Sequence, residues 1–165
     1  MGPFDILAEQ HRELEECIEA LESDESQSEP DTLRERLEAL FALLRVHAQL
    51  EERHLYPLLA RVEGRAWARE EAEDHLTLRE LMEELEELEP KADEWWASLT
   101  ALEDLVVAHV REEEVETFPL LLSSLDQQEQ DELHRAFSSM REQLLSGAPG
   151  LSGNVPLLEE PLGDA

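Results

Sequence analysis

The sequence predicts an all-α protein, an antiparallel up-down-up-down four-helix bundle with an additional C-terminal helix. Three observations support this fold. Leu, Ala, Glu and Arg, which favour helices, dominate the 165 residues. Apolar residues recur in alternating steps of three and four, which is the period of one helix face. No convincing stretch alternates between apolar and polar residues as a half-buried strand does.

Each predicted helix is delimited by its apolar stripe and by the residues that end it. The predicted spans are approximately 3–22, 32–61, 65–89, 92–123 and 127–145. Asp31 or Thr32 is the expected cap of the second helix, which ends near Arg61 or before Gly64. Pro90 stops the third helix, because a proline cannot continue it.

The five helices are expected to form one domain, residues 1–146. Their connections are short except for a polar, acidic loop at 23–30, and short connections favour antiparallel neighbours. Residues 147–165 contain Gly, Pro and Ser without any helical period. This segment is therefore predicted to be a flexible C-terminal tail.

The charge of the chain is strongly negative. Asp and Glu number 42 against 13 Lys and Arg, which gives a formal net charge of −29. Such a surface repels phosphate backbones and anionic lipids, so neither nucleic acid nor a membrane is an expected partner. It is interpreted as a solubilising coat, or as one that concentrates cations near an internal site. No signal peptide or membrane span is visible, which favours a cytoplasmic location.

The apolar stripes of the four main helices share one interruption. A histidine replaces the leucine that a bundle normally has, at His11, His47, His75 and His109. Glu51 follows His47 by four residues, and Glu113 follows His109 by the same spacing. Residues four apart lie on one helix face, so both side chains of each pair can reach one point in the core.

Burying these six polar groups requires compensation. A buried carboxylate without a partner costs several kcal/mol or more. Divalent cations provide compensation, because they accept neutral imidazole and anionic carboxylate as ligands. The alternative is a buried histidine–glutamate hydrogen-bond network, which would have to satisfy all six groups by mutual pairing.

The chain repeats itself around these residues. The segment 47–59 recurs as 109–121, with the same His-x-x-x-Glu spacing and the same aromatic-Pro-Leu-Leu ending, and His11 recurs as His75. Each unit supplies two imidazoles and one carboxylate, which predicts two metal ions, one per half, bridged by the two carboxylates. The proline in each ending predicts a kink or a tightening near the helix end.

These stretches resemble the hemerythrin-like domain, the HHE cation-binding family, over about residues 1–122. The matching segments are 5–11, 47–59, 73–75 and 109–121. The resemblance implies a four-helix bundle with two non-haem iron ions, usually oxo- or hydroxo-bridged, although another divalent metal is possible. It assigns His11 and His47 to one iron, His75 and His109 to the other, and the bridging role to Glu51 and Glu113.

One ligand of the oxygen carriers in this family is missing. Those proteins have a fifth histidine, four residues from the first histidine of the third helix. Here Glu71 and Arg79 occupy the positions that flank His75 by four. Glu71 lies on the apolar stripe and is one candidate for a seventh ligand. His54, three residues after Glu51, is the other candidate, or else a rim residue that faces water.

The resemblance implies a module that binds or senses O2 or NO, or that holds iron. A di-iron oxidase or a peroxide-consuming enzyme is a second possibility. A structural helical protein with zinc or no metal is a third. No nucleophile–base pair and no Gly-rich phosphate loop is evident in the sequence, which favours the binding module over an enzyme.

Overall fold

The computed structural model describes residues 2–23 and 29–146. In these ranges all regular secondary structure is helical. The helices are α1 (Asp5–Ser23), α2 (Pro30–Leu50), α3 (Tyr56–Glu63), α4 (Arg65–Glu87), α5 (Asp93–Glu112), α6 (Phe118–Ser124) and α7 (Gln127–Leu145). Because α2 continues into α3, and α5 into α6, the described residues form five rods. The predicted all-α class is confirmed.

Four of the rods close into a ring. Helix α1 packs against α2 and α5, and α4 packs against α3 and α5. Each rod therefore contacts its neighbours along the chain, and the first contacts the last, as in an up-down-up-down bundle. Helix α7 lies outside this ring, where it packs against α2 and α1. It is the additional C-terminal helix of the sequence prediction.

The helix ends agree with the prediction to within a few residues, but one predicted cap is wrong. The second helix begins at Pro30 with Glu29 as its cap residue, and neither Asp31 nor Thr32 has that role. The reason is that the fixed φ of proline suits the first position of a helix, so the helix starts before both expected caps. Between α3 and α4, Gly64 has a φ of 103°, a conformation that favours glycine.

A π-helical turn joins the two parts of each long rod. These turns are Glu51–Leu55, between α2 and α3, and Glu113–Thr117, between α5 and α6. The residue after each turn donates its N–H to the carbonyl five residues earlier: Tyr56 to Glu51, and Phe118 to Glu113. A proline follows at once in both rods. The rods therefore widen where the sequence predicted a kink or a tightening, and such turns are frequent at functional sites.

The apolar core has two parts, separated along the bundle by a polar layer. One cluster fills the space between α1, α2, α4 and α5. The other lies towards α3, α6 and α7. On α1, Leu14 belongs to the first cluster and Leu7 to the second, and His11 lies between them. Each of the predicted donors thus occupies the middle of the bundle.

Two sequence predictions fall outside the described residues. The tail at 147–165 lies entirely beyond them, and the loop at 23–30 does so for residues 24–28. Within the described ranges, no helix combines the length and the apolar character needed to cross a membrane.

Candidate metal centre

The six predicted donors converge in the polar layer, and all six are buried. They form two groups in which the donor atoms lie within 4.8 Å of one another. The first group contains His11, His47, Glu51 and Glu113, and the second contains Glu51, His75 and His109. We call the pair His11 and His47 the first half-site and the pair His75 and His109 the second half-site.

The two glutamates reach histidines of both half-sites. One oxygen of Glu51 contacts Nε2 of His47, and its other oxygen lies 3.4 Å from Nε2 of His109. Oε1 of Glu113 lies 3.2 Å from Nε2 of His11 and 3.1 Å from Nε2 of His109. Both carboxylates are fully buried. Their position between histidines of different helices suits a bridging ligand.

Several of these donor atoms are close together without being hydrogen bonded. Among the described residues, no hydrogen bond satisfies Nε2 of His11 or His47, Oε1 of Glu51, or either carboxylate oxygen of Glu113. Buried polar atoms without partners are costly and rare in native proteins. The atoms are near one another but not aligned as donor and acceptor, which suits a cation bound by all of them. It argues against a self-satisfied hydrogen-bond network.

A polar side chain lies behind each imidazole. Each histidine presents Nε2 to the other donors and Nδ1 to its own partner. Three of the Nδ1 partners are at hydrogen-bond distance: Glu114 for His11 at 3.1 Å, Gln10 for His47 at 2.9 Å and Glu52 for His75 at 3.3 Å. At His109 the carboxylate of Asp74 lies 3.5 Å from Nδ1, an ion-pair contact without hydrogen-bond geometry. Such partners fix the orientation of a ligating histidine and strengthen its binding to a metal.

Sequence reasoning assigned no role to these four partners, although the repeat contains the signal for them. The residue directly before each lone histidine is polar, Gln10 in one unit and Asp74 in the other. The residue directly after Glu51 and after Glu113 is another glutamate, Glu52 or Glu114. The partners therefore recur with the same offsets as the donors.

Tyr56 was also missed as a site residue, and it distinguishes the two half-sites. Its ring is fully buried. Its hydroxyl lies 2.8 Å from Nε2 of His75, 3.3 Å from Oε2 of Glu51 and 3.4 Å from Nε2 of His109. Phe118 occupies the equivalent position of the other unit, and its ring stacks on that of His11 with centroids 5.9 Å apart. The second half-site therefore has an oxygen atom that the first lacks.

The two candidates for a seventh ligand lie outside both donor groups. Glu71 is buried, and its Oε1 accepts hydrogen bonds from the Thr117 hydroxyl at 2.6 Å and from the Trp67 indole at 3.1 Å. Its Oε2 has no hydrogen-bond partner among the described residues. His54 packs edge-on against Phe137 of α7, with ring centroids 5.7 Å apart. His54 also lines a groove together with Leu133 and Ala136 of α7, and it does not belong to either donor group.

The imidazoles of the first half-site are neutral at pH 7 in the metal-free protein. Burial lowers the pKa of His11, and this effect outweighs the attraction of Glu51. Burial likewise lowers the pKa of His47. A neutral imidazole is the form that binds a metal. Metal binding to this half-site therefore does not require His11 or His47 to release a proton.

The imidazoles of the second half-site behave in the opposite way. Burial favours the neutral form of His75, but the nearby carboxylates of Glu51 and Glu52 together outweigh burial and raise the pKa of His75 to about 9. Burial is also outweighed at His109, where Glu113 and Glu51 raise the pKa well above its ordinary value. Both imidazoles therefore carry a proton at pH 7 when no metal is bound.

The carboxyl groups also differ from one another. Burial and the charge of Glu51 raise the pKa of Glu113 to about 8, and burial and the charge of Glu113 raise the pKa of Glu71 to about 8. At Glu51 burial is outweighed by the attraction of His47 and His109, which holds the pKa well below its usual range. In the metal-free site, protons thus neutralise part of a charge that a bound cation would neutralise instead.

Comparison with known proteins identifies the domain. The family described as Hemerythrin HHE cation binding domain matches residues 2–121. A DNA nickase of Nostoc sp. (strain PCC 7120 / SAG 25.82 / UTEX 2576) is 22% identical over 144 residues, which cover 87% of this chain and 40% of the nickase. The chain thus spans less than half the length of that relative. No solved structure matches the chain.

Proposed function

We propose that this chain binds two iron ions, because it belongs to the hemerythrin HHE cation-binding domain family and gathers six buried donors in its core. The first half-site would hold one ion, the second half-site the other, and the two glutamates would bridge them. The observation that supports this most strongly is the set of buried imidazole and carboxylate atoms without hydrogen-bond partners. Imidazole and carboxylate suit iron, with zinc and other divalent metals as competitors.

When bound, an iron pair supplies redox chemistry and a coordination position for a small ligand. The protein contributes the orientation of each imidazole through its Nδ1 partner. The two apolar clusters on either side of the polar layer keep bulk water away. Electrostatic interactions between the donors and a cation are strong in such an enclosed site.

A small cavity beside the histidines favours a diatomic ligand. Its volume is about 20 Å³. His47, Asp74, His75 and His109 contribute to its wall, and the remaining lining residues, such as Leu78 and Val106, are apolar. A space of this size holds about one water-sized molecule. An apolar wall suits O2 or NO better than a charged or bulky substrate, so we propose that the protein binds or senses one of these gases.

A di-iron oxidase or a peroxide-consuming enzyme is the second candidate. Glu71 favours it, because this buried carboxyl group has a pKa raised to about 8 by burial and by Glu113. A carboxyl group that is still protonated near pH 7 can donate a proton beside the site. DNA nicking is not proposed: the net charge of −29 opposes binding to phosphates, and the chain matches only 40% of the nickase.

Metal content and the response to O2 test the proposal. The full chain is loaded anaerobically with ferrous iron, and the expected result is close to two irons per chain. The reduced protein is then mixed with O2 or NO in a stopped-flow spectrometer. A stable new spectrum that reverses under argon supports gas binding, whereas steady consumption of peroxide supports the enzyme. A chain that retains zinc but no iron contradicts the proposed metal.

A further inference from the structure

We propose that the hydroxyl oxygen of Tyr56 is an additional donor to the metal ion of the second half-site, an inference that rests on the proposed iron binding. Tyr56 is fully buried at the end of the first π-helical turn, where its side chain enters the polar layer. The sequence repeat supplies the six histidine and glutamate donors, and Tyr56 is not part of that set.

The first argument is geometric. Neighbouring donors around one metal ion are about 3 Å apart, because metal–nitrogen and metal–oxygen bonds of such ions are about 2.0–2.2 Å long. The Tyr56 oxygen lies at 2.8, 3.3 and 3.4 Å from donor atoms of His75, Glu51 and His109. These are the three residues of the second donor group. In the metal-free protein these distances are hydrogen-bond distances, and the hydroxyl donates to Oε2 of Glu51. The same positions fit a further ligand on an ion held by these three residues.

The second argument is the comparison with the equivalent position. The π-helical turns place Tyr56 and Phe118 alike, each directly after its turn. Phe118 packs between apolar and imidazole rings, with Phe4 at 4.7 Å and His11 at 5.9 Å between centroids. A phenyl ring is therefore compatible with the position after a π-helical turn, as Phe118 shows. Packing at the equivalent position 56 does not by itself require the hydroxyl of Tyr56.

The chemistry of the ligand is also suitable. As a ligand to ferric iron Tyr56 binds as the phenolate, and the hydroxyl proton passes to solvent when the metal binds. The phenolate oxygen would occupy one coordination position on the ion of the second half-site. On the ion of the first half-site, the equivalent position would remain open to another ligand. The two ions would therefore have different surroundings, as they do in oxygen carriers that use a fifth histidine on one iron.

Spectroscopy of the iron-loaded full chain provides the test. A phenolate bound to ferric iron gives a visible charge-transfer band and resonance-enhanced ring vibrations, whereas a phenol that only donates a hydrogen bond gives neither. Tyr56 is the single tyrosine of the chain, so no other residue can produce this signal. We expect the oxidised wild-type protein to show it. Tyr56→Phe should lose it completely while close to two irons per chain remain bound.

Phe118→Leu is the matched control, because it changes the equivalent aromatic residue and should leave the tyrosinate signal intact. A wild-type protein with two irons but no such signal overturns the assignment and leaves the proposed iron binding standing. A signal that persists in Tyr56→Phe also overturns the assignment of Tyr56 and leaves the proposed iron binding standing. If that variant does not fold, the wild-type spectrum alone decides. A wild-type chain that takes up no iron overturns the proposed function and this inference together.

Discussion

Compared with the first half-site, the second has more acidic and more polar surroundings. His109 faces Asp74, where the corresponding histidine of the first half-site faces the neutral Gln10. Tyr56 places a hydroxyl beside the second half-site, and Phe118 places only a ring beside the first. The pKa values differ as well: burial lowers them in the first pair of histidines, whereas in the second pair burial is outweighed, mainly by Glu51 and Glu52 at His75 and by Glu113 and Glu51 at His109. A repeat can thus supply equal donors while two replacements make their environments unequal.

The largest expected effect comes from removing one histidine of each half-site. The double substitution His47→Ala and His109→Ala should reduce iron from about two per chain to nearly none, because each ion loses an imidazole and leaves the carboxylates uncompensated. Elemental analysis of the purified protein measures this. The single variants sharpen the comparison, because one retained iron in each would mean that the half-sites bind independently.

His54→Ala is the control for this experiment. The side chain of His54 packs against Phe137 and lies outside both donor groups. This variant should therefore keep its iron, which would also remove His54 as a candidate for the seventh ligand. Loss of iron in His54→Ala, or full iron content in the double variant, would contradict the assigned site.

Removal of the metal is expected to destabilise the fold. A ligand at 1,000 times its Kd stabilises the folded state by about 4 kcal/mol. For a domain of this size such a change shifts Tm by on the order of 10 °C. Thermal unfolding of the metal-loaded and metal-free proteins tests this expectation. Equal Tm values would count against the site, and the double histidine variant should show no dependence on metal.

The metal-free protein should lose stability as the pH rises from 6.5 to 9. The raised pKa of His75, about 9, gives a stabilising contribution that is complete below 6.5 and is lost as the pH passes through 9. Glu113 and Glu71, with pKa values raised to about 8, keep a proton that the unfolded chain releases near pH 4.5. Their contribution also falls as the pH rises to 8.

Urea unfolding of the metal-free protein at several pH values measures this loss. Each group contributes a slope of at most about 1.4 kcal/mol per pH unit in its own window. The pKa values of His11 and His47 are lowered, so these two histidines change the free energy of unfolding only below pH 6.5. They therefore contribute nothing to the expected loss of stability above pH 6.5. Glu71→Gln should make the slope shallower. Stability that is constant or increases between pH 6.5 and 9 would contradict the raised pKa values of His75, Glu113 and Glu71.

The smallest expected effect concerns the partner of His109. Asp74→Gln gives the second half-site the residue type that Gln10 supplies in the first. We expect metal affinity at the second half-site to fall about tenfold, because loss of such a partner typically costs 10- to 100-fold. Competition with a chelator measures it. Glu73→Gln, at the exposed neighbouring position, is the control of equal charge change. An equal loss in both variants would indicate a general effect of net charge.

The sequence by itself determined the features that depend on local spacing. Helical periodicity sets the five rods, and the predicted span 127–145 is that of α7. The i, i+4 spacing puts His47 and Glu51 on one face, and the structure brings both into the same donor group. The wrong cap at Asp31 or Thr32 shows the limit of such rules, because the adjacent Pro30 starts the helix earlier.

Only the tertiary structure decided which side chains meet across helices. Glu114 reaches His11 on another helix, 103 residues away, and Glu52 reaches His75 on a neighbouring rod. The same holds for the Tyr56 hydroxyl, which reaches two histidines of other helices. Periodicity fixes the face on which a residue lies, but it leaves free the rotation and the axial register of one helix against the next. Packing of the two apolar clusters sets both, and with them the geometry of the candidate metal centre.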